Sequence, residues 1–393
     1  MDITPSPEET SQSQLLANRI SQEIKAQGGQ ISFAKYMEMA LYTPGLGYYA
    51  AGKTKLGTAG DFTTAPELSP LFGQTIVETI LPIFAALRET AAPLQILEFG
   101  AGSGALAESV LDGLKIAGIS IDSYNILDLS ADLITRQKER LKGRSEKITW
   151  LNELPTNFVG IILANEVIDA MPIDMVTLRN GRWYYRDVAL DASSTETIRF
   201  TFCDGKQIDP ALLPEVLQSP QLPPLPDGYI TETHLNAQAW IRTLAKCLKQ
   251  GALLTFDYGF PSHEYYHPQR TQGTFMGHYR HHAIQDPFFY PGICDLTAHV
   301  EWTSLANTAH DTGFTLLGYT NQASYLLDAG ISQLTLTIAD PSDAIKFMPL
   351  SNALQKLLSE AEMGELFKVM CLGMDLPFTE GELPGFRGRP RAL

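Results

Sequence analysis

Three glycines at alternate positions separate an apolar run from a helical pattern in the segment LQILEFGAGSGALAESVL, residues 94–111. A glycine turn that follows a strand and opens a helix can hold a nucleotide against a sheet. The letters GAGSGA fit the G-x-G-x-x-A form of the dinucleotide fingerprint. Together with Glu98 they also fit the E-x-G-x-G-x-G turn of proteins that bind S-adenosylmethionine (SAM). We therefore predict cofactor contacts at Gly100, Gly102 and Gly104.

Glu98 distinguishes the two cofactors by charge. A nicotinamide dinucleotide would place an anionic pyrophosphate over the turn, whereas SAM carries an ammonium and a sulfonium. At 4 Å and an effective dielectric constant of about 20, two unit charges attract or repel by roughly 4 kcal/mol. The acid therefore favours SAM, and an NAD-dependent oxidoreductase becomes the weaker alternative.

Polar residues follow two later strands of the same pattern. Asp128 ends the strand YNILDL, where a carboxylate can accept hydrogen bonds from both ribose hydroxyls, although it could instead cap the next helix. Asn165, Glu166 and Asp169 follow the strand FVGIILA. Because the carboxyl ends of parallel strands line the ligand crevice of an open sheet, we expect these side chains where a substrate meets the methyl donor.

The elements that position these residues read as alternating short strands and amphipathic helices. This alternation predicts an α/β fold with a Rossmann-like, doubly wound sheet. Two helices are predicted over residues 14–40, separated by Gly28-Gly29, and a Gly/Pro/Thr-rich segment follows them. We expect three parts: an N-terminal helical cap with this loop (1–90), the core with insertions (91–345), and a C-terminal helix and last strand (346–393).

The formal net charge of −15 over 393 residues argues against a nucleic-acid partner and favours a cationic substrate. The four cysteines form no CxxC pair, which is typical of a reducing compartment. The first residues are polar and acidic, and no apolar run approaches the length that spans a bilayer. We therefore expect a cytoplasmic protein without a membrane partner; the sequence leaves the oligomeric state open.

The segment HEYYH, residues 263–267, matches the H-E-x-x-H zinc signature. That signature needs a helix, so that both histidines share one face. Gly259, Pro261 and Pro268 leave too few residues for one. We predict no metal site.

Several longer motifs resemble the MidA-like SAM-dependent methyltransferases, from about residue 30 to about residue 375. The motifs that carry the resemblance are YTPGLGYY, GDFTTAPELSPLFGQ, NEVIDAMPID, GALLTFDYGF, GTFMGHYRHH and PGICDLTAHVEW. The family's mitochondrial members are complex I assembly factors that methylate arginine in a complex I subunit. The resemblance thus implies SAM as cofactor and a protein substrate such as a subunit of a respiratory complex.

The resemblance also assigns residues to roles. It places Glu98, Gly100, Gly102, Gly104 and Asp128 at the cofactor, and it implies a signature loop that closes over the site. The remaining matched positions are Gly60, Asp61, Phe62, Thr64, Pro66, Glu67, Asn165, Glu166, Asp169, Asp257, Tyr258, Asp295 and Thr297. Two positions depart from the family pattern: Asp128 stands where Glu is frequent, and Ala65 replaces a common Ser.

Methyl transfer to a protein arginine needs carboxylates, because the guanidinium is protonated and must be held with one nitrogen aimed at the methyl group. We predict Asp61, Glu67, Glu166 and Asp169 as these acids and Asn165 as a further cofactor contact. Two alternatives remain open: a non-catalytic SAM-binding assembly factor, and a methyltransferase that acts on a small amine.

Overall fold

The computed structural model describes residues 3–51, 64–193, 197–219, 222–388 and 391–393. The predicted signature-loop residues Gly60, Asp61 and Phe62 therefore lie outside the described residues. The helices are α1 (Pro7–Ala26), α2 (Phe33–Tyr42), α3 (Ala65–Leu68), α4 (Leu71–Glu89), α5 (Ala105–Ile116), α6 (Ala131–Arg140), α7 (Glu215–Gln218), α8 (Leu235–Cys247), α9 (Ser262–Tyr265), α10 (Trp302–Asp311), α11 (Gln322–Asp328), α12 (Ile331–Ile338) and α13 (Ala344–Leu358).

The strands belong to three sheets. They are β1 (Gln30–Ile31), β2 (Gln95–Phe99), β3 (Ser123–Leu127), β4 (Ile148–Leu151), β5 (Phe158–Asn165), β6 (Asp174–Arg179), β7 (Arg182–Leu190), β8 (Phe200–Gln207), β9 (Ile230–Thr233), β10 (Leu248–Phe260), β11 (Met276–Tyr279), β12 (His282–Ile284), β13 (Asp295–Thr297), β14 (Val300–Glu301), β15 (Thr315–Asn321) and β16 (Phe367–Met374).

The main sheet has the order β15-β16-β10-β5-β2-β3-β4, with β14 paired to β10. Neighbours from β10 to β4 are parallel, whereas β16 is antiparallel to both β10 and β15. The chain order reverses between β2 and β5, which makes a crevice at the carboxyl ends of these strands. The predicted doubly wound α/β fold is confirmed, with an antiparallel pair at one edge.

Two apolar layers cover the main sheet, as a doubly wound fold requires. One layer contains α4, α5 and residues from α11 to α13; the other contains α8 and α10. The helix α4 has a mean hydropathy of 1.3 and is long and apolar enough to cross a membrane, although no such segment was predicted from the sequence. In this structure 61% of its apolar stretch is buried, and the helix packs against α5 as a core helix.

The segment between β5 and β10 contributes β6, β7, β8 and β9 to a second sheet, and the N-terminal strand β1 joins it by pairing with β7; all its neighbours are antiparallel. The small sheet β12-β11-β13 follows β10. Residues of α1 and α2 share one apolar cluster with both of these sheets. The N-terminal helices thus pack on the insertions, and the division at residues 90 and 345 stays a prediction.

Candidate active site

The glycine turn connects β2 to α5 at the carboxyl edge of the main sheet. Gly100, Gly102 and Gly104 have φ angles of +58°, +54° and +85°, which disfavour any residue with a Cβ atom. The Gly104 amide donates to the Ala101 carbonyl at 2.7 Å, and the Gly100 amide donates to the Leu127 carbonyl at 3.0 Å. These bonds fold the turn tightly and hold it against β3.

Glu98 occupies the end of β2 and is only 2% exposed. The Tyr124 hydroxyl donates to its carboxylate at 2.7 Å. Burial raises the pKa of Glu98 to about 8; the Tyr124 hydrogen bond opposes this shift, and the nearby Asp128 adds to it. Among the residues that the structure describes, no Lys or Arg forms an ion pair with Glu98. A cationic ligand would supply the missing partner.

Asp128 follows β3 and is held by α6. Its carboxylate accepts from the Ser130 amide at 2.9 Å and from the Gln137 side-chain amide at 2.7 Å. Gln137 is fully buried, donates also to the Gly102 carbonyl at 3.0 Å, and accepts from the Trp150 indole at 2.9 Å. This side chain joins the predicted ribose acid to the glycine turn, and it is not among the residues predicted from the sequence.

Asn165 is the last residue of β5, and Glu166 follows it directly. Glu166 has a φ of +53°, which is rare for a residue with a side chain and typical of functional positions. Burial raises its pKa to about 8, Asp169 adds to the shift, and hydrogen bonds from Asn165 and the Ala65 amide oppose it. The Asn165 Oδ1 atom is buried without a hydrogen-bond partner in the described part of the chain. Both side chains face the same cavity as Glu98.

Asp169 lies behind the cavity lining and contacts β10. Its carboxylate accepts from the Tyr258 hydroxyl, while its Oδ1 atom is buried and lacks a partner among the described residues. Asp257 accepts from the Ile168 and Asp169 amides at 2.9 and 3.1 Å. Burial raises the pKa of Asp169 to about 6. Burial also raises the pKa of Asp257 well above its usual range, and the nearby Asp169 and Glu166 raise it further. These acids lie close together, and no Lys or Arg of the described ranges forms an ion pair with them.

Glu67 lies at the end of α3, beside the glycine turn. It accepts a hydrogen bond from the Ser103 hydroxyl and pairs with Arg140 of α6 at 3.3 Å. Arg140 also pairs with Glu108 at 3.3 Å. Arg140 therefore partly neutralises the charge of Glu67, whereas no described Lys or Arg forms an ion pair with Glu98 or Glu166.

These elements enclose a cavity of about 550 Å³. The acids among its lining residues are Glu38, Glu67, Glu98, Asp128 and Glu166. No Lys, Arg or His is part of the lining within the described ranges. The buried and unpaired Glu98, the left-handed glycine turn and the anchored Asp128 fit the ammonium, backbone and ribose of SAM, and Glu98 would oppose a pyrophosphate.

The HEYYH segment forms no long helix. The helix α9 has four residues, Tyr265 and Tyr266 are fully buried, and the His263 side chain is 63% exposed. In the described part of the chain, no group of three or more His, Cys, Asp or Glu side chains could hold a metal ion.

The sheet order, the glycine turn and the acidic cavity define a class, the Rossmann-like methyltransferases that use SAM. Residues 75–320 match the S-adenosyl-L-methionine-dependent methyltransferase family, and the chain belongs to this family. A solved structure from Burkholderia thailandensis, a COG1565 superfamily member bound to S-adenosyl-homocysteine (SAH), is 42% identical to this chain. It has a TM-score of 0.91 and covers 99% of this chain and 98% of its own. The predicted cofactor is confirmed.

Curated relatives include a mitochondrial protein arginine methyltransferase, NDUFAF7, in several animals. The Danio rerio protein is 29% identical over 86% of this chain and 82% of its own length. The Homo sapiens protein is 26% identical over 88% of this chain and 80% of its own length. The prediction of a cytoplasmic protein is wrong by this comparison, because these relatives are mitochondrial.

Proposed function

We propose that this protein transfers a methyl group from SAM to an arginine side chain of a protein substrate. The observation that carries the proposal is the charge of the cavity: five acids line it, and no described lining residue is a Lys, Arg or His. Both the methyl donor and a guanidinium are cations, so an acidic cavity attracts both. The curated relatives named above are protein arginine methyltransferases.

When bound, SAM would supply a methyl group on a sulfonium. A guanidinium nitrogen would accept the methyl group as the S–C bond breaks, S-adenosylhomocysteine would be the leaving group, and the proton lost from the methylated guanidinium would pass to water. On the cofactor side we assign Glu98 to the cationic end of the donor and Asp128 to the ribose. The backbone of Gly100, Gly102 and Gly104 and the Asn165 side chain complete this half of the site. Buried acids bind a cation in their ionised form, because the cation offsets the cost of burial.

On the acceptor side we assign Glu166 to the guanidinium. It lines the cavity, its backbone is held in a left-handed conformation, and it has no cationic partner among the described residues. Asp169 lies behind it, so we assign Asp169 the role of positioning this edge through Tyr258. Asp61 stays a prediction. For Glu67 the pairing with Arg140 favours a role in holding the glycine turn.

The experiment is to incubate the protein with methyl-labelled SAM and an extract of its own cells. We expect a labelled protein band whose methyl group mass spectrometry locates on arginine. The Glu166→Gln variant should retain SAH binding and lose the label. Label that appears only in small molecules would contradict the proposal and favour the small-amine alternative. Protein labelling that is absent, or no stronger with wild type than with Glu166→Gln, would contradict it and favour the non-catalytic alternative.

We further propose a subunit of a respiratory complex as the substrate, as the MidA resemblance implies, and thus a role in complex I assembly. Fractionation of the labelled extract tests this finer proposal. The labelled band should accompany the respiratory-chain fraction; label confined to proteins outside that fraction would contradict it.

A further inference from the structure

Two tyrosines of the cavity wall are brought together where the chain turns back on the end of α2: Tyr42 is the last residue of that helix, and Tyr49 belongs to the turn. The Gly47 amide donates to the Thr43 carbonyl at 2.7 Å, and the Tyr49 amide donates to the Leu41 carbonyl at 2.8 Å. A Cβ atom on Gly47 would lie only 2.6 Å from the Thr43 nitrogen, so the close return of the chain needs glycine. This return brings Tyr49 next to Tyr42.

The rings of Tyr42 and Tyr49 are stacked, with centroids 5.6 Å apart and planes 19° apart. Both hydroxyls form hydrogen bonds within the protein: that of Tyr42 donates to the Ala170 carbonyl at 2.8 Å, and that of Tyr49 donates to the Asp295 carboxylate at 3.0 Å. Both rings line the cavity together with Glu166. A cavity ligand therefore meets aromatic surface on this wall.

The charges around the stack favour a cation. Burial together with the nearby Asp295 and Asp169 raises the pKa of both tyrosines above the usual range, so the phenols stay neutral. A neutral ring presents a negative π face. Asp295, only 2% exposed, accepts from the Tyr49 hydroxyl and holds that ring in place.

We propose that the Tyr42–Tyr49 stack is the aromatic wall of the acceptor site and selects a guanidinium over a lysine ammonium. A guanidinium is planar and weakly hydrated, so it can extend a stack of rings while its nitrogens reach Glu166. An ammonium has no plane to stack and is strongly hydrated. This inference rests on the proposed function and adds the feature that makes the site specific for arginine.

The test measures binding of two probes, Nα-acetyl-arginine methylamide and Nα-acetyl-lysine methylamide, to the full-length protein saturated with SAH. Wild type should bind the arginine probe at least tenfold more tightly, which corresponds to about 1.4 kcal/mol. Tyr49→Leu should lose about tenfold in affinity for the arginine probe and keep SAH affinity within about threefold. Tyr49→Phe retains the ring and should keep most of the preference.

Tyr290→Leu is the matched control, because Tyr290 is 37% exposed and is not part of the cavity lining. It should change neither probe. Equal affinities of wild type for both probes, or an unchanged arginine affinity in Tyr49→Leu, would overturn the inference. An equal loss of SAH affinity would also overturn it, because the stack would then bind the cofactor. If Tyr49→Leu does not fold, Tyr42→Leu is measured in the same way.

The failure of this inference is distinguishable from the failure of the proposed function. If proteins of the extract are methylated on arginine and wild type and Tyr49→Leu have the same KM for the acceptor protein, the aromatic wall is contradicted and the proposed function is not. Extract labelling without any methylated arginine would overturn the function itself.

Discussion

Replacing Glu98 by glutamine removes the buried carboxyl group that can ionise when a cation binds, and it leaves the shape of the side chain almost unchanged. In the structure this carboxylate is 2% exposed, and its hydrogen bond comes from Tyr124. A hydrogen bond to a charged ligand group contributes about 1.5–3 kcal/mol. We therefore expect Glu98→Gln to lower the affinity for SAM and SAH by about ten- to a hundredfold.

Calorimetry with a series of ligands gives the matched control. Methylthioadenosine has neither the ammonium nor the sulfonium, so Glu98→Gln should change its affinity by no more than about threefold, or about 0.65 kcal/mol. NAD should not bind wild type, because Glu98 would face its pyrophosphate. The melting temperature of each protein without ligand shows whether the variant is folded.

The pH dependence of SAM binding is the sharper measurement. Since the pKa of Glu98 is raised to about 8, the side chain is protonated at pH 6 to 7 in the protein without ligand. Binding a cation then requires loss of this proton, which costs about 1.4 kcal/mol per pH unit below the pKa. The SAM affinity of wild type should rise about tenfold from pH 6 to pH 7, and that of Glu98→Gln should not. Equal affinities and equal slopes would refute the assignment of Glu98 to the cationic end of SAM.

Three further results are expected. Gly102→Val should abolish SAH binding in calorimetry, because a β-branched residue at φ +54° is strained and must move the turn; normal SAH affinity would contradict the placement of the cofactor. Glu166→Gln should reduce the kcat of methyl transfer by a hundredfold or more, which corresponds to about 3 kcal/mol of transition-state stabilisation, whereas Glu67→Gln should mainly raise the Kd for SAM. A raised Kd in Glu166→Gln together with a lowered kcat in Glu67→Gln would exchange the roles of the two acids. Gln137→Met should lower SAM affinity by about tenfold and lower the free energy of unfolding by about 2–3 kcal/mol in urea titration, because it removes the side-chain donor to the Gly102 carbonyl and one of the two donors to Asp128.

The strands of the main sheet were predictable because they are short apolar runs with turn residues between them. The structure places β3 at Ser123–Leu127 and β5 at Phe158–Asn165, overlapping the predicted strands YNILDL and FVGIILA. The second sheet was missed because its strands are half-exposed and carry charged residues, as in β7 at Arg182–Leu190. Such strands give no continuous apolar run.

The residues of the candidate site also fall into two groups, those that could be predicted from the sequence and those that could not. The glycine turn and Glu98 are adjacent in sequence, so their spacing alone indicates a cofactor. Gln137 is a glutamine in a polar helix, and nothing in the sequence tells that it is fully buried. The pairing of Glu67 with Arg140 joins residues 73 positions apart. Only the folded chain brings such partners together.

The most direct test of the central claim is the identity of the methylated residue. Protein labelled by wild type from methyl-labelled SAM is hydrolysed, and the methylated amino acids are separated and quantified. We predict that the label is recovered as methylarginine and that Glu166→Gln prevents its appearance. Recovery as methyllysine, or label found only on a small amine, would contradict the claim that this acidic and aromatic cavity methylates protein arginine.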